Sequence, residues 1–444
     1  MIRLALESLQ KWYHKENRKP MVVWGARQVG KTYLIKELFA KQQFEDFVYI
    51  DLKKDSDACK FFNSTCNPEE YLKYIETRYE KIVSNACPLI FDEVQVCSNV
   101  LTSLKYFCQD YPYLPVIATG SMVRLAIRHN TEDFLFPVGK IESLNLFPLS
   151  FEEYLLNTNN VLLNNIKDGY KNNKPLTEYE HEMAMDYLYQ FLTVGGMPEV
   201  VDTFISTQSY VKARAVLKEI YDNYLADMDQ YNVSQETILK TRNVYKNVFS
   251  QLNKENHNFK ISQIEKGKSN RDYFNAYQWL EMSKVVYRCS KKEGKVSLPL
   301  EVNEEDSGSF RIYLADPGLF TYQSGVSQSD FFVKDNRNTL SEVFFENYVA
   351  DELVSKDIPL FFWSGKSSGE FEFIVYYNGK ICPVDVKKSK GSLNSLLVFR
   401  QSNERSLAIK ISSNNFGFDS DNNIRTIPLY AVFELAKDIS MSFS

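Results

Sequence analysis

The sequence predicts an α/β protein that begins with a parallel β-sheet covered by helices on both faces. Four short, continuously apolar runs suited to buried strands occupy residues 21–24, 47–51, 88–93 and 115–121. Segments with the apolar spacing of a helix separate these runs, as at residues 71–83. Parallel strands buried on both faces give continuous apolar runs, whereas half-exposed strands alternate apolar and polar residues. Strands that alternate with helices in this way therefore favour a parallel sheet between two helical layers.

The length and the composition limit the kind of protein this is. A chain of 444 residues is longer than one hydrophobic core usually organises, so we expect three domains, at residues 1–156, 157–325 and 326–444. The net charge of −5 excludes a polycation, so any binding of nucleic acid would need local basic patches. Seven cysteines without a C-x-x-C pair argue against a cysteine zinc site and fit a reducing compartment. No signal peptide is visible and no apolar run approaches the ~20 residues of a membrane span, so we expect a cytoplasmic protein without a membrane partner.

The most specific motif lies between the first predicted strand and the helix that follows it. The segment "GARQVGKT" matches the full phosphate-binding loop pattern. Glycines let backbone N–H groups approach phosphates, and the following helix adds the positive end of its dipole. We expect Lys31 to reach the β- and γ-phosphates of ATP and Thr32 to ligate Mg²⁺. The predicted nucleotide-binding residues are Gly25, Ala26, Arg27, Gln28, Val29, Gly30, Lys31, Thr32 and Asp92.

Polar residues at the ends of two further strands complete the predicted site. Asp92 and Glu93 end the third strand, where Asp92 is expected to hold Mg²⁺ through water and Glu93 to orient or deprotonate the attacking water. Ser121 ends the fourth strand and is expected to hydrogen-bond the γ-phosphate or that water, although a helix cap is the alternative. The sequence thus predicts ATP hydrolysis with Lys31, Glu93 and Ser121 as catalytic residues.

The middle of the chain is predicted to be mainly helical. Residues 157–178 are rich in asparagine and are expected to form a loop or a boundary, and residues 179–250 are expected to be helical. Over residues 259–300 the predicted order is short helix, turn, helix and hairpin, with Gly294 at the hairpin turn. That order resembles a winged helix.

The second helix of this winged-helix segment carries a polar face. Ser269 can cap it, and Arg271, Asn275 and Gln278 then share one side. These three side chains are candidates for contacts with bases or phosphates of DNA. Winged helices also serve as packing or partner modules, and the sequence leaves both alternatives open.

The tail contains a hairpin with an unusual arrangement of charge. Residues 325–340 are predicted to be a linker, and Asn378-Gly379 predicts a two-residue turn. Counting back from that turn places Glu372 opposite Asp385, with Lys387 on the same face. Facing carboxylates destabilise a strand pair. Either the repulsion is screened by solvent or a positive group lies between the acids.

Several segments together resemble a known family. The segments are "WGARQVGKT", "LIFDEVQ", "ATGS", "LNLFPLSFEEYL", "GGMPEVV" and "YLADPGLF". They resemble the prokaryotic AAA-type ATPases that carry a C-terminal restriction-endonuclease-like domain of the PD-(D/E)xK fold. The resemblance implies a P-loop AAA-type parallel sheet, then a helical lid and winged-helix region, then an α/β nuclease-like domain.

Three positions depart from that family. Its members often have Asp where Glu372 stands and Glu where Asp385 stands, and the third departure lies ahead of "LNLFPLSFEEYL". Family members usually have Gly-Arg, a candidate arginine finger, where this chain has Gly139-Lys140. Lysine lacks the planar fork of arginine and is not equivalent beside a transferring phosphate. Arg124, Arg128 or a residue of a neighbouring subunit could take that place, which leaves a homo-oligomer open.

The resemblance also implies a metal site in the tail. Such nucleases use an acid on a helix, an acid on one strand, and an acid-x-Lys on the next strand. Glu346 lies in line with an apolar helical stripe, and a carboxylate in such a place needs a partner. Mg²⁺ or Mn²⁺ between the acids would remove their repulsion. The implied residues are Glu346, Glu372 and Asp385, with Lys387 as the group that activates water or stabilises the developing charge on the phosphate.

Two functions remain open at this stage. The first is a Mg²⁺-dependent ATPase that acts on or is gated by nucleic acid, with a metal-dependent nuclease-like tail. The second is an ATP-dependent switch that binds a protein partner and carries a catalytically inactive tail. In the second case Lys387, Lys388 and Lys390 could simply form a basic patch that contacts phosphates.

Overall fold

The structure is a computed structural model that describes residues 1–120, 137–229, 234–301, 308–326, 330–331, 342–365, 368–387 and 393–442. Its internal contacts divide the chain into two compact units. The N-terminal unit holds residues 2–147 and 282–284, and the C-terminal unit holds residues 1, 148–281 and 285–444. The last two predicted domains thus share one compact unit, and the division into three domains stays a prediction.

The N-terminal unit is built on a five-stranded, fully parallel sheet, which confirms the predicted fold of this region. The strands lie in the order β2-β3-β4-β1-β5, so β4 separates β1 from β3. Their bounds are β1 (Met21–Trp24), β2 (Val48–Asp51), β3 (Leu89–Asp92), β4 (Val116–Gly120) and β5 (Glu142–Asn145). Every residue of β1, β3 and β4 is buried, as the continuous apolar runs predict.

The described residues of the N-terminal unit include five helices. The second begins with wide π-type turns and continues as an ordinary helix. The helices are α1 (Ala5–Tyr13), α2 (Tyr33–Ala40, continuing through Lys41–Gln43), α3 (Ser56–Ser64), α4 (Pro68–Tyr79) and α5 (Ser98–Asp110). The start of α4 shows why the chain turns into a helix there. Asn67 accepts a hydrogen bond from the Glu69 amide at 3.0 Å, and Pro68 supplies the fixed φ of a first helical residue.

The C-terminal unit opens with helices, and one of them corrects a prediction. Residues 157–178 were expected to form a loop, but helix α7 (Asn160–Asn172) fills most of that range. Its asparagines act at the helix ends. Asn159 accepts a hydrogen bond from the Leu162 amide at 3.1 Å, and Asn173 adopts the left-handed conformation that ends the helix. The neighbouring helices are α6 (Phe151–Thr158), α8 (Glu178–Val194), α9 (Pro198–Thr207), α10 (Tyr210–Asp227), α11 (Gln235–Lys246) and α12 (Val248–Leu252).

The predicted winged-helix segment is present in outline but is not free-standing. Short helical turns at Ile261–Gln263 and Asn270–Tyr273 lead into α13 (Phe274–Met282), and β6 (Val286–Glu293) pairs antiparallel with β7 (Phe310–Leu314). The connection between these strands runs from 294 to 309, so Gly294 does not close a tight hairpin. Strand β6 also pairs in parallel with β8 (Phe361–Ser364), which pairs with β9 (Glu370–Phe371). The wing is therefore part of a four-stranded sheet, β7-β6-β8-β9, that includes strands from the tail.

The tail also contains a separate five-stranded sheet, and its first two strands confirm the turn predicted at Asn378-Gly379. The strand order is β10-β11-β12-β14-β13, and Tyr377 pairs with Lys380 around Asn378-Gly379, both of which have positive φ. The strands are β10 (Phe373–Tyr377), β11 (Lys380–Lys387), β12 (Ala408–Ser412), β13 (Gly417–Asp419) and β14 (Ile424–Pro428). The helices are α14 (Pro317–Ser324), α15 (Val343–Val354), α16 (Asn394–Ser402) and α17 (Val432–Met441). Most of the predicted linker at 325–340 lies outside the described residues.

No helix in the described ranges combines the length and the apolar character that crossing a membrane requires.

Candidate nucleotide-binding site

The loop between β1 and α2 has the backbone shape that phosphate binding requires. Gln28 and Gly30 have positive φ values of 64° and 90°. Backbone turns of this kind let successive N–H groups point into one concave space, which suits an anion. Gly25 is needed for a different reason, because a Cβ there would lie 2.3 Å from the carbonyl oxygen of Leu146.

A residue outside every motif supports the loop. Arg3 is buried, and its Nη1 donates to the carbonyl oxygen of Val29 at 2.9 Å while its Nη2 donates to that of Phe147 at 2.7 Å. Hydrogen bonds from a charged donor are among the stronger ones in proteins. Arg3 therefore ties the phosphate-binding loop to the chain that follows β5, a role that sequence reasoning missed.

The side chain of Lys31 is buried against the backbone of the phosphate-binding loop. Its Nζ donates to the carbonyl oxygens of Gly25 at 3.0 Å and Ala26 at 2.7 Å, and the residue is 7% exposed. Burial lowers the pKa of Lys31 to about 8, against the opposing effect of Glu93 and Asp92. A phosphate would replace the carbonyl partners and favour the charged ammonium.

Asp92 is the centre of the polar cluster at the carboxyl end of the sheet. Its Oδ2 accepts from the Thr32 hydroxyl at 2.8 Å and the Tyr49 hydroxyl at 2.6 Å. Its Oδ1 accepts from the Thr119 hydroxyl at 2.6 Å and the Glu93 amide at 2.9 Å. A hydroxyl and a carboxylate in direct contact are oxygen ligands of the kind that Mg²⁺ prefers, so the residues present fit that ion.

Glu93 occupies a constrained position beside Asp92. Its φ of 58° is in the left-handed region, which is uncommon for residues other than glycine. The Gln95 side chain donates to its carboxylate. This turn carries the Glu93 carboxylate past the end of β3, to the same side of the sheet as Lys31, whose pKa it affects.

Other predicted residues of this site have different outcomes. Ser121, Arg124 and Arg128 lie outside the described residues. The residue that contacts Asp92 from β4 is Thr119, and the contact from β2 is Tyr49; neither was predicted. Lys140 follows Gly139 in a turn ahead of β5, where its amide donates to the Pro137 carbonyl at 3.0 Å.

In the tail hairpin, a lysine stands between the two acids. The Lys387 Nζ donates to Glu372 at 2.7 Å and lies 3.3 Å from a carboxylate oxygen of Asp385. Glu372 also accepts from the Val386 amide at 2.9 Å. Burial raises the pKa of Glu372 to about 7, while both acids raise the pKa of Lys387 above its usual range against the effect of burial. The positive group that the facing acids need is thus Lys387 itself.

The third acid of the implied metal site has its own partners. Glu346 is 1% exposed, and its Oε1 accepts from Arg311 at 2.8 Å and from the Tyr313 hydroxyl at 2.5 Å. Its Oε2 lies 2.7 Å from His257 Nδ1. Burial disfavours the charged carboxylate, but Arg311 and His257 outweigh it and lower the pKa of Glu346 to about 2.

These contacts show what surrounds the three implied ligands, whose role as a metal site stays a prediction. Across the parts of the chain that the structure describes, His, Cys, Asp and Glu side chains form no group of three or more that could hold a metal ion. Glu346, Glu372 and Asp385 all lie in those parts. Arg311 and Lys387 instead neutralise them, because each cation supplies donors that satisfy buried carboxylate oxygens.

The three polar side chains predicted to share one helix face lie on two elements, Arg271 on the turn at Asn270–Tyr273, and Asn275 and Gln278 on α13. Arg271 and Asn275 are exposed and Gln278 is half-buried, whereas Tyr277 on the other side is buried. Phe274 is also on the accessible side, with 40% of its surface exposed. Arg271 and Asn275 are therefore accessible to solvent, together with the Phe274 ring.

Two of the family-like segments have structural roles in the C-terminal unit. Asp316 of "YLADPGLF" accepts from the Gly196 amide of "GGMPEVV" at 2.6 Å and from the Leu319 amide at 2.8 Å. A Cβ on Gly196 would lie 2.1 Å from the Leu149 carbonyl oxygen. Gly196 and Asp316 therefore let these backbone segments pack closely against each other.

Comparison with known families divides the chain into three matches. Residues 17–155 match a family described as an AAA domain. Residues 185–330 and 342–432 match two families that are each described as a domain of unknown function. A nuclease fold in the tail thus stays a prediction.

Similar individual proteins add little beyond that match. An uncharacterized protein of Methanocaldococcus jannaschii is 26% identical over 204 residues, which is 46% of this chain and 40% of that protein. Among solved structures, a Walker-type ATPase of Pyrococcus abyssi covers 72% of this chain and 94% of its own at 14% identity, with a TM-score of 0.42. The Aeropyrum pernix ORC2 protein covers 74% of this chain and 96% of its own at 12% identity, with a TM-score of 0.34. Scores this low carry no argument about the whole chain.

The family match and the geometry agree on the N-terminal region. The loop around Lys31, the acid Asp92 and the parallel sheet that carries them all lie within the matched range. Residues 17–155 are thus similar to an AAA domain, and they carry the parallel sheet and the phosphate-binding loop that the sequence predicts.

Proposed function

We propose that the protein hydrolyses ATP in a Mg²⁺-dependent reaction at the loop formed by residues 25–32. The observation that carries this proposal is the contact of Thr32 with Asp92 at 2.8 Å, beside a buried lysine in a phosphate-binding loop. Thr32 and Asp92 would hold Mg²⁺, which neutralises charge on the phosphates when it is bound. Lys31 leaves its carbonyl partners for the β- and γ-phosphates, and Glu93 positions the attacking water.

The experiment measures ATP binding and turnover separately for wild type, Lys31→Ala and Glu93→Gln. The proposal predicts that Lys31→Ala loses affinity for ATP, because the phosphates lose their buried cation. It predicts that Glu93→Gln still binds ATP but turns it over at least ~100-fold more slowly, the usual contribution of a positioned general base. Wild-type protein that binds no ATP would refute the proposal.

We further propose that nucleic acid gates this activity through α13. Support comes from the accessible side chains of Arg271, Asn275 and Phe274, which combine a cation, an amide and an aromatic ring on one surface. Turnover should rise on addition of DNA, and Arg271→Ala should reduce that rise while leaving turnover without DNA unchanged. The control is Lys246→Ala, which removes an exposed cation from another helix, α11.

A second candidate is an ATP-dependent switch that binds a protein partner and has an inactive tail. The ion pairs of Lys387 and Arg311 with the tail acids favour this candidate, because acids neutralised by side chains need no metal. ATP turnover that does not change when DNA is added would support this second candidate.

A nuclease assay separates the two accounts of the tail. Supercoiled and linear DNA are incubated with the protein and Mg²⁺ or Mn²⁺, with and without ATP. Cleavage that disappears in Asp385→Ala but persists in Asp421→Ala, an exposed acid of the same tail, would restore the metal-dependent nuclease. An inactive tail predicts no cleavage by any of the three proteins.

A further inference from the structure

Three hydroxyl groups from three different elements converge on Asp92, and one of them belongs to no motif. Tyr49 lies on β2, where the ladder pairs it with Ile90 and pairs Asp51 with Asp92. Tyr49 is therefore one diagonal step from Asp92 on the same face of the sheet. Its hydroxyl donates to Asp92 Oδ2 at 2.6 Å, the same oxygen that accepts from Thr32.

Tyr49 also contacts the helix that follows the phosphate-binding loop. Lys36 of α2 places its Nζ 4.5 Å from the centre of the Tyr49 ring, within the range of a cation–π interaction. Thr32 and Lys36 are four residues apart in the chain. One tyrosine thus touches α2 through its ring and β3 through its hydroxyl, so it joins the two elements that supply Thr32 and Asp92.

The Tyr49 hydroxyl stays a donor at physiological pH. An ordinary tyrosine hydroxyl is protonated at that pH. A neutral phenol has one proton to give, and the 2.6 Å contact directs it to Oδ2.

We propose that Tyr49 is a positioning residue that fixes the Asp92 carboxylate for binding of the Mg²⁺–nucleotide complex. This inference rests on the proposed function, because it concerns the same site. Residues that hydrogen-bond to a metal-binding carboxylate, without touching the metal themselves, set the orientation of that carboxylate. Their removal typically costs 10–100-fold in metal affinity or activity.

The test compares Tyr49→Phe with Tyr79→Phe in the full chain. Tyr79 is a matched control, because its hydroxyl also donates to a carboxylate of the N-terminal unit, that of Asp55 at 2.7 Å. The first measurement is binding of a fluorescent ADP analogue in EDTA and over a titration of free Mg²⁺. Tyr49→Phe should raise the half-saturating Mg²⁺ concentration by about tenfold and leave binding in EDTA within about twofold of wild type. Tyr79→Phe should change neither.

The second measurement shows whether Tyr49 acts through Asp92. In an Asp92→Asn background, adding Tyr49→Phe should leave the Mg²⁺ dependence of binding unchanged, since the group that it positions is already gone. A further loss in that background, or an equal loss of binding in EDTA, would mean that Tyr49 only supports the fold and would overturn the inference.

The outcomes also separate this inference from the proposed function. Wild-type protein without Mg²⁺-dependent nucleotide binding would refute both. Wild-type protein that binds and hydrolyses Mg²⁺–ATP, with Tyr49→Phe indistinguishable from Tyr79→Phe, would refute the role of Tyr49 alone.

Discussion

The buried ion pair between Arg311 and Glu346 gives a prediction with a large and specific magnitude. Both side chains are 2% exposed, and Nη1 lies 2.8 Å from Oε1. Arg311→Met removes the cation and leaves a carboxylate that water cannot reach. Breaking a buried pair from one side typically costs about 3–5 kcal/mol when the other charge is left uncompensated. His257 and Tyr313 still contact Glu346 in this variant, so we take the lower end of that range, about 3 kcal/mol. We therefore expect Arg311→Met to lower the free energy of unfolding of the C-terminal unit by that amount.

The assay is urea unfolding followed by a signal from the C-terminal unit, with two comparison proteins. Lys380→Met removes an exposed cation that pairs with Glu404, and such surface pairs contribute about 0–1 kcal/mol. The double variant Arg311→Met/Glu346→Met removes both charges and should recover most of the loss. A loss below about 1 kcal/mol for Arg311→Met, or a double variant no better than the single one, would refute a buried, mutually compensating pair.

Three further predictions concern pH and a helix cap. Burial lowers the pKa of Lys31 to about 8. ATP affinity should therefore fall about tenfold per pH unit above pH 8, because the ammonium is lost. An ATP affinity that stays constant from pH 7 to pH 10, measured by fluorescence, would contradict this. Burial raises the pKa of Glu372 to about 7, so its contribution is most favourable below its unfolded value and is lost as the pH rises through about 7. The urea midpoint of the wild type should therefore fall as the pH rises from 5 to 8, and Glu372→Gln should reduce that fall. A variant whose midpoints fall with pH as steeply as those of the wild type would contradict this. Ser150 accepts from the Glu153 amide at the start of α6, so Ser150→Ala should cost about 1 kcal/mol in urea unfolding, whereas a cost near zero would show that the cap is unimportant.

The N-terminal fold could be predicted because its signals are local. Each buried strand is a continuous apolar run, and the loop from Gly25 to Thr32 has a pattern whose spacing itself fixes the chemistry. The contact between Thr32 and Asp92 follows once the two motifs are placed at the same edge of one sheet. The Asn378-Gly379 turn signal likewise predicted the pairing of Tyr377 with Lys380.

The remaining parts of the site depend on contacts that local patterns do not encode. Tyr49 and Thr119 reach Asp92 only because β2 and β4 flank β3, and strand order is a property of the whole sheet. Arg3 supports the loop from a position that looks like an ordinary helix start. The asparagines near residue 160 misled the prediction, because the same residue type favours loops and helix ends.

The tail shows why a charge pattern can predict a site without predicting its ligand. The register counted back from Asn378-Gly379 predicted that Glu372 faces Asp385, and it left solvent screening and a positive group between the acids as alternatives. It did not distinguish a metal ion from Lys387, because both remove the repulsion between the acids. The partners of Glu346 come from distant positions, His257 and Arg311, that no spacing connects to it.

The most direct test of the central claim is ATP turnover by the full-length chain with Glu93→Gln and Glu76→Gln compared side by side. Glu76 is an exposed acid on α4 of the same unit and serves as the control. ATP hydrolysis at this site predicts that Glu93→Gln binds ATP as wild type does but hydrolyses it at least ~100-fold more slowly, while Glu76→Gln is unchanged. Turnover by Glu93→Gln within about threefold of wild type would contradict the account, because the water would then be positioned without the acid that ends β3.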